Sequence, residues 1–127
     1  MKDYSEDEIR LIVAGSREGV SRGLVHVYIS QWIEEHGVPD LVVHGDYRGV
    51  DTYAKMWAKK MGIPTKPFPA NWKKYGKRAG PLRNQEMAEF STHLLVIHTP
   101  NSKGSRDMKK AARRVGLHIT DHIVKEE

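Results

Sequence analysis

Two apolar periods alternate along the chain. IRLIVA at 9–14 is a short β-branched run that stops at Gly15, the mark of a buried strand ending in a turn. After Ser21, the residues Leu24, Val25, Tyr28, Ile29, Trp32 and Ile33 recur at helical spacing as far as Gly37, which predicts a capped helix with a glycine stop. The pair of signals then repeats: DLVVH at 40–44 predicts a second strand, and Val50, Tyr53, Ala54, Met56, Trp57 and Met61 predict a second helix halted at Gly62. PTKPF at 64–68 is a weaker strand, because its prolines cannot donate to a ladder, and this places it at a sheet edge. Residues 69–80 read as loop and 81–90 as a third helix, with Pro81 in the first turn where a missing N–H costs little. THLLVIH at 92–98 is the clearest strand. A polar loop at 101–105, a basic helix to about Val115 and a last strand, LHIT at 117–120, precede a charged tail.

Strand and helix in alternation, with connections long enough for crossovers, predict an α/β chain. The expected architecture is a three-layer Rossmann-like fold with a mainly parallel sheet of about five strands and flanking helices. Residues 1–127 fit one domain without repeat or linker. Open parallel sheets bind ligands outside the carboxyl ends of their strands, so the loops that follow strands are where chemistry is expected.

Composition narrows the partners. A formal charge of +5 allows an anionic ligand. Basic and acidic residues are interleaved along the chain with no contiguous basic arm, which favours a small anion over nucleic acid. The absence of cysteine excludes disulfides, thiol nucleophiles and cysteine-ligated zinc. No apolar run is long enough to span a bilayer and no signal-type core is present, so a cytoplasmic protein without a membrane partner is expected. His44 and His98 both end predicted strands and could approach each other across a pocket mouth, but no carboxylate completes a ligand set; no metal and no required cofactor are expected.

The candidate chemistry lies in the loops. In Gly15-Ser16-Arg17, a glycine permits close backbone approach, a hydroxyl can donate to phosphate and an arginine offers a charge-assisted fork; an ordinary turn is the alternative. HGDYRGVD at 44–51 carries Gly45, Arg48 and Gly49 at a strand-to-helix junction, where exposed N–H groups favour an anion, although the spacing is not that of a P-loop. Asp51 either caps the helix or faces a ribose hydroxyl. AGPLRN at 79–84 brings Arg83 and Asn84 to a helix start, and Glu86 or Glu89 could act as a general base or simply be solvated. Ser102, Lys103, Gly104 and Ser105 suit a second phosphate cradle or a flexible turn. Trp72 and Tyr75 could stack on a base, worth ~1–3 kcal/mol, or anchor a loop by packing.

GSR at 15–17, HGDYRGVDTYA at 44–54, PANW at 69–72, YGKRAGPLRNQEM at 75–87 and SKGS at 102–105 together resemble the YspA-like branch of the SLOG superfamily, in order and over nearly the whole chain. The resemblance implies a Rossmann-like fold that binds a nucleotide or nucleotide-derived, ADP-ribose-like anion. On that reading Gly45, Arg48 and Gly49 hold phosphate, and Gly15, Ser16, Arg17, Arg83 and Asn84 close round it. Asp51 takes a ribose hydroxyl, Ser102 to Ser105 form the second cradle, and Trp72 or Tyr75 covers the base. Two relatives frame the alternatives. The DprA proteins share a GSR strand end, a loop similar to Arg48-Gly49-Val50-Asp51 and an RN helix start, and they bind single-stranded DNA, which implies a nucleic-acid-binding module as the competing reading. The LOG phosphoribohydrolases use a PGGxGTxxE loop; the stretch from Ala79 to Glu86 is similar in place but lacks the glycine pair and threonine. If N-glycosidic hydrolysis occurs, Glu86 is its expected acid or base. A non-catalytic homodimer is the third reading, with Tyr28, Trp32 and Trp57 on helices that could pair or simply belonging to the core, and small size with basic character suits a phage or mobile-element protein.

Overall fold

A computed structural model describes residues 8–125; the first seven and last two residues of the expected 1–127 domain, with the end of its charged tail, lie outside that range. β1 (Arg10–Gly15) is the central strand, and Leu11, Ile12 and Val13 lose all solvent contact because helices cover both faces of the sheet. The sheet has five strands in the order β3-β2-β1-β4-β5, all parallel. β2 (Leu41–His44) lies on one side of β1, with Ile12 opposite Val43; β4 (His93–His98) lies on the other, with Ile12 opposite Leu94. β3 (Thr65–Pro67) takes the edge its prolines predict, and β5 (His118–Ile123) the opposite edge.

Side-chain alternation splits the core into two layers. Leu11, Val13, Val42, Leu95 and Ile97 pack against α1 (Arg22–His36) and α2 (Val50–Met61) through Val25, Ile29, Trp32, Ala54 and Trp57. Ile12, Ala14, Val43, Leu94 and Val96 pack on the other face against α4 (Ala79–Phe90) and α5 (Lys103–Val115) through Met87, Ala88, Met108, Ala111 and Ala112. The expected helix signals operate: Ser21 Oγ accepts from the Leu24 N–H at 3.2 Å, and Gly62 ends α2 in the left-handed region.

Two expectations are corrected. Residues 69–80 are not simply loop: α3 (Trp72–Tyr75), with Asn71 Oδ1 accepting from the Lys74 N–H at 3.1 Å, runs through a 3₁₀ turn (Gly76–Arg78) directly into α4. No residue from 72 to 78 is buried, so this stretch carries no apolar stripe to betray a helix. The last strand reaches Ile123, because the polar residues that made 121–122 read as tail are matched in the fold. Asp121 bonds Lys109 Nζ at 2.9 Å and His98 Nε2 at 2.8 Å, and His122 stacks on Tyr28 with ring centroids 3.9 Å apart.

Candidate functional site

Strand order reverses at β1 and β4, and a crevice opens above their carboxyl ends. It is a cleft of about 820 Å³. One wall is the turn after β1 with Gly15, Ser16 and Arg17; another is the turn after β4 and the start of α5, with Thr99 and Ser102 to Ser105. Tyr47, Arg48, Asp51, Trp72, Gly80, Arg83, Asn84 and Asp107 are also among the lining residues. Ser16 ties the two central turns together: its N–H donates to Ile97 O at 3.2 Å, and its Oγ accepts from the Thr99 N–H at 2.9 Å. Ser102 Oγ and Ser105 Oγ pair at 2.7 Å beside the amino end of α5, a helix long enough to present a field favouring an anion.

The floor is a polar relay. Burial pushes the Asp51 carboxyl up to about 7, against the opposing pull of the Arg83 guanidinium and of hydrogen bonds from the Tyr47 and Gly45 backbone. Burial likewise holds Arg83 below its ordinary value, with Asp51 and Asp107 acting the other way. Arg83 donates to the carbonyls of Gly45 and Phe68, and from Nε to Asn84 Oδ1 at 2.9 Å. That bond fixes the amide, so Asn84 Nδ2 donates to Asp107 Oδ2 at 2.9 Å. Arg83 and Asn84 therefore brace the floor rather than reach freely for a ligand. Arg17 lies over the Tyr47 ring at 5.4 Å, Arg48 pairs with Glu18 at 3.1 Å, and both remain at the exposed mouth beside Lys103.

The two glycines of the second loop act by packing. A Cβ at Gly49, whose φ is +81°, would run into the Ser16 carbonyl and stand 2.6 Å from Arg17 O, so the α2 start can meet the β1 turn only if this residue is glycine. A Cβ at Gly45 would strike the Arg83 guanidinium and the Asp51 carboxylate. Neither glycine lines the cleft, so the expected phosphate contact through them is replaced by a role in bringing its walls together.

Three other expectations fail on side-chain direction. Glu86 is exposed and off the lining, because it is two residues on from buried Asn84 and so points to the far side of α4. Tyr75 is exposed and off the lining too, its ring beneath Lys74 at 5.1 Å. Trp72 does line the cleft, edge-on to Tyr47 with centroids 6.4 Å apart and resting on Gly80. His44 and His98 do not meet: β1 separates their strands, and alternation sends them to opposite faces, His44 with Val42 and His98 with Val96. Sequence reasoning missed Tyr47, Thr99 and Asp107; Asp107 stands one helical turn from Lys103 on α5, a spacing that could have flagged it. Among the described residues no group of three histidine, cysteine or acidic side chains could hold a metal ion, and no helix is long and apolar enough to cross a membrane.

Fold and cleft together define a Rossmann-like α/β protein with a polar switch-point site. The model of the YspA, cpYpsA-related SLOG family matches residues 9–75, which span β1 to α3. The chain is 30% identical over 116 residues to the "Gene 61 protein" of Mycobacterium phage D29, covering 87% of this chain and 93% of that protein. No solved structure matches. The chain belongs to the YspA, cpYpsA-related SLOG family.

Proposed function

We propose that the cleft binds a nucleotide or a nucleotide-derived, ADP-ribose-like anion. The observation that carries this reading is the pairing, across one cleft, of an anion-favouring helix start (Ser102 to Ser105) with an aromatic wall (Tyr47 and Trp72). Phosphate meets the α5 N–H groups with Lys103 and Arg17 at the mouth, the base lies on the aromatic wall, and the ribose spans the floor near Asp51 and Asp107. SLOG membership is consistent with such a ligand. For N-glycosidic cleavage the carboxylates available at the floor are Asp51 and Asp107 rather than Glu86.

A thermal-shift panel of nucleoside monophosphates, NAD, ADP-ribose and cyclic nucleotides tests the binding. A ligand at a hundred times its Kd stabilises by ~2.7 kcal/mol, a shift of several degrees for a domain of this size. Lys103→Ala and Trp72→Ala are expected to reduce that shift while leaving the unliganded Tm within a degree or two. If no member of the panel moves the wild-type Tm, the reading is wrong. Chromatographic detection of released base tests cleavage separately.

A further inference from the structure

α5 holds six lysine and arginine residues against one aspartate, a net +5 that equals the formal charge of the entire chain. The basic excess is thus concentrated on one helix, whereas the sequence presents it as dispersed. Lys109 is matched by Asp121, and Arg114 bonds Gln85 Oε1 at 2.8 Å. Lys103, Arg106, Lys110 and Arg113 are exposed, and none pairs with a carboxylate of the described residues. Their spacing of three, four and three keeps them on one side of the helix over ~15 Å, starting at the cleft mouth with Lys103.

We infer that this outer face of α5 is a track for the phosphodiester backbone of single-stranded nucleic acid. A row of unmatched cations one turn apart binds by releasing counterions from a polyanion. An anionic membrane fits less well, because the apolar side of α5 (Met108, Ala111 and Ala112) is buried in the core and leaves nothing to insert. A protein partner fits less well because the cationic row holds no apolar anchor for a desolvated hot spot. Single strands are favoured over duplex because the row starts at the cleft mouth, where Trp72 is 49% exposed and offers a face to unstacked bases. The track rests on the charge of α5 and shares only Lys103 and Trp72 with the nucleotide reading of the cleft.

Fluorescence anisotropy with a labelled single-stranded DNA of ~20 nucleotides, titrated from about 50 to about 200 mM salt, tests it. Four phosphate contacts give a log–log salt slope of about −3, and Arg106→Gln/Lys110→Gln/Arg113→Gln should make it shallower by about 2 while weakening low-salt binding at least ~10-fold. Glutamine keeps helix propensity close to that of lysine and arginine, and an unchanged Tm verifies the fold. The charge-matched control Arg22→Gln/Lys59→Gln/Lys60→Gln, on exposed positions of the two helices that cover the opposite face of the sheet from α5, should retain the wild-type slope. No binding at low salt, equal weakening by the control, or equally tight binding of blunt duplex overturns the inference, as does anionic-vesicle binding that replaces strand binding. The substituted residues are off the cleft lining, so a nucleotide-induced thermal shift in the triple variant reports on the cleft independently.

Discussion

Asp51 should make this protein lose stability as pH rises towards neutrality, and Asp51→Asn should abolish that loss. The side chain is only 8% exposed in the first turn of α2, and burial lifts its carboxyl from 3.8 to about 7. The folded pKa lies above the unfolded one, so folding takes up a proton between them; the stabilising contribution is full below the unfolded value and disappears as pH rises through 7. About three pKa units correspond to ~4 kcal/mol, of which roughly two thirds falls between about pH 5 and about pH 8. Asparagine has the shape of the neutral acid and does not titrate. Urea unfolding of both proteins across that range gives the difference directly, because histidine titrations common to both cancel. The advantage of the variant over the wild type should grow by about 2–3 kcal/mol from the acid end of that range to the alkaline end, the remaining third of the effect lying below about pH 5. A difference that stays constant with pH refutes the assignment. So does a variant that becomes progressively less stable as pH rises, since Arg83 and the backbone of Gly45 and Tyr47 would then be stabilising the ionised form.

Gly49→Ala should cost several kcal/mol or prevent folding, because both its φ and the Ser16 and Arg17 carbonyls oppose a side chain, while Gly104→Ala, with nothing within 4 Å and a place in the first turn of α5, should be neutral or stabilise by ~0.5–1 kcal/mol. Thermal melts compare them, and equal Tm values would contradict the packing described for Gly49. Burial, with His118 and His36 adding to it, holds the His93 imidazole below its ordinary 6.5. Its folded pKa is depressed, so its contribution should be intact above 6.5 and fall as pH drops below it; the stability of His93→Gln relative to the wild type should rise as pH falls from 7 to 5, and a difference that stays constant with pH would remove His93 as a source of the loss.

What was legible in the sequence was whatever depends on period. The buried runs of β1 and β4, the Ser21 cap and the glycine stops at Gly37 and Gly62 all predict the elements observed, because each is local. The stretch from Trp72 to Arg78 escaped because it buries nothing, and the end of β5 escaped because its polar residues meet partners distant in sequence: Asp121 meets Lys109, and His122 meets Tyr28. For the site, the loops were legible but the direction of each side chain was not. Glu86 and Asn84 are two residues apart and share every sequence cue, yet the helix turns one into the floor and the other into solvent.

Direction also decides what Arg83 can mean in an experiment. As a motif residue it looks like a ligand hand, but its guanidinium joins the carbonyls of Gly45 and Phe68 to the amide of Asn84, and through Asn84 to Asp107. Removing it leaves two carbonyls, an amide oxygen and the buried Asp51 without their cation, so Arg83→Ala should loosen the floor before any ligand arrives. Loss of binding in that variant would therefore say little about phosphate recognition. The informative cations are those at the mouth: on the proposed reading Lys103 and Arg17 meet the ligand, both are exposed rather than built into the floor, and their replacement separates affinity from stability.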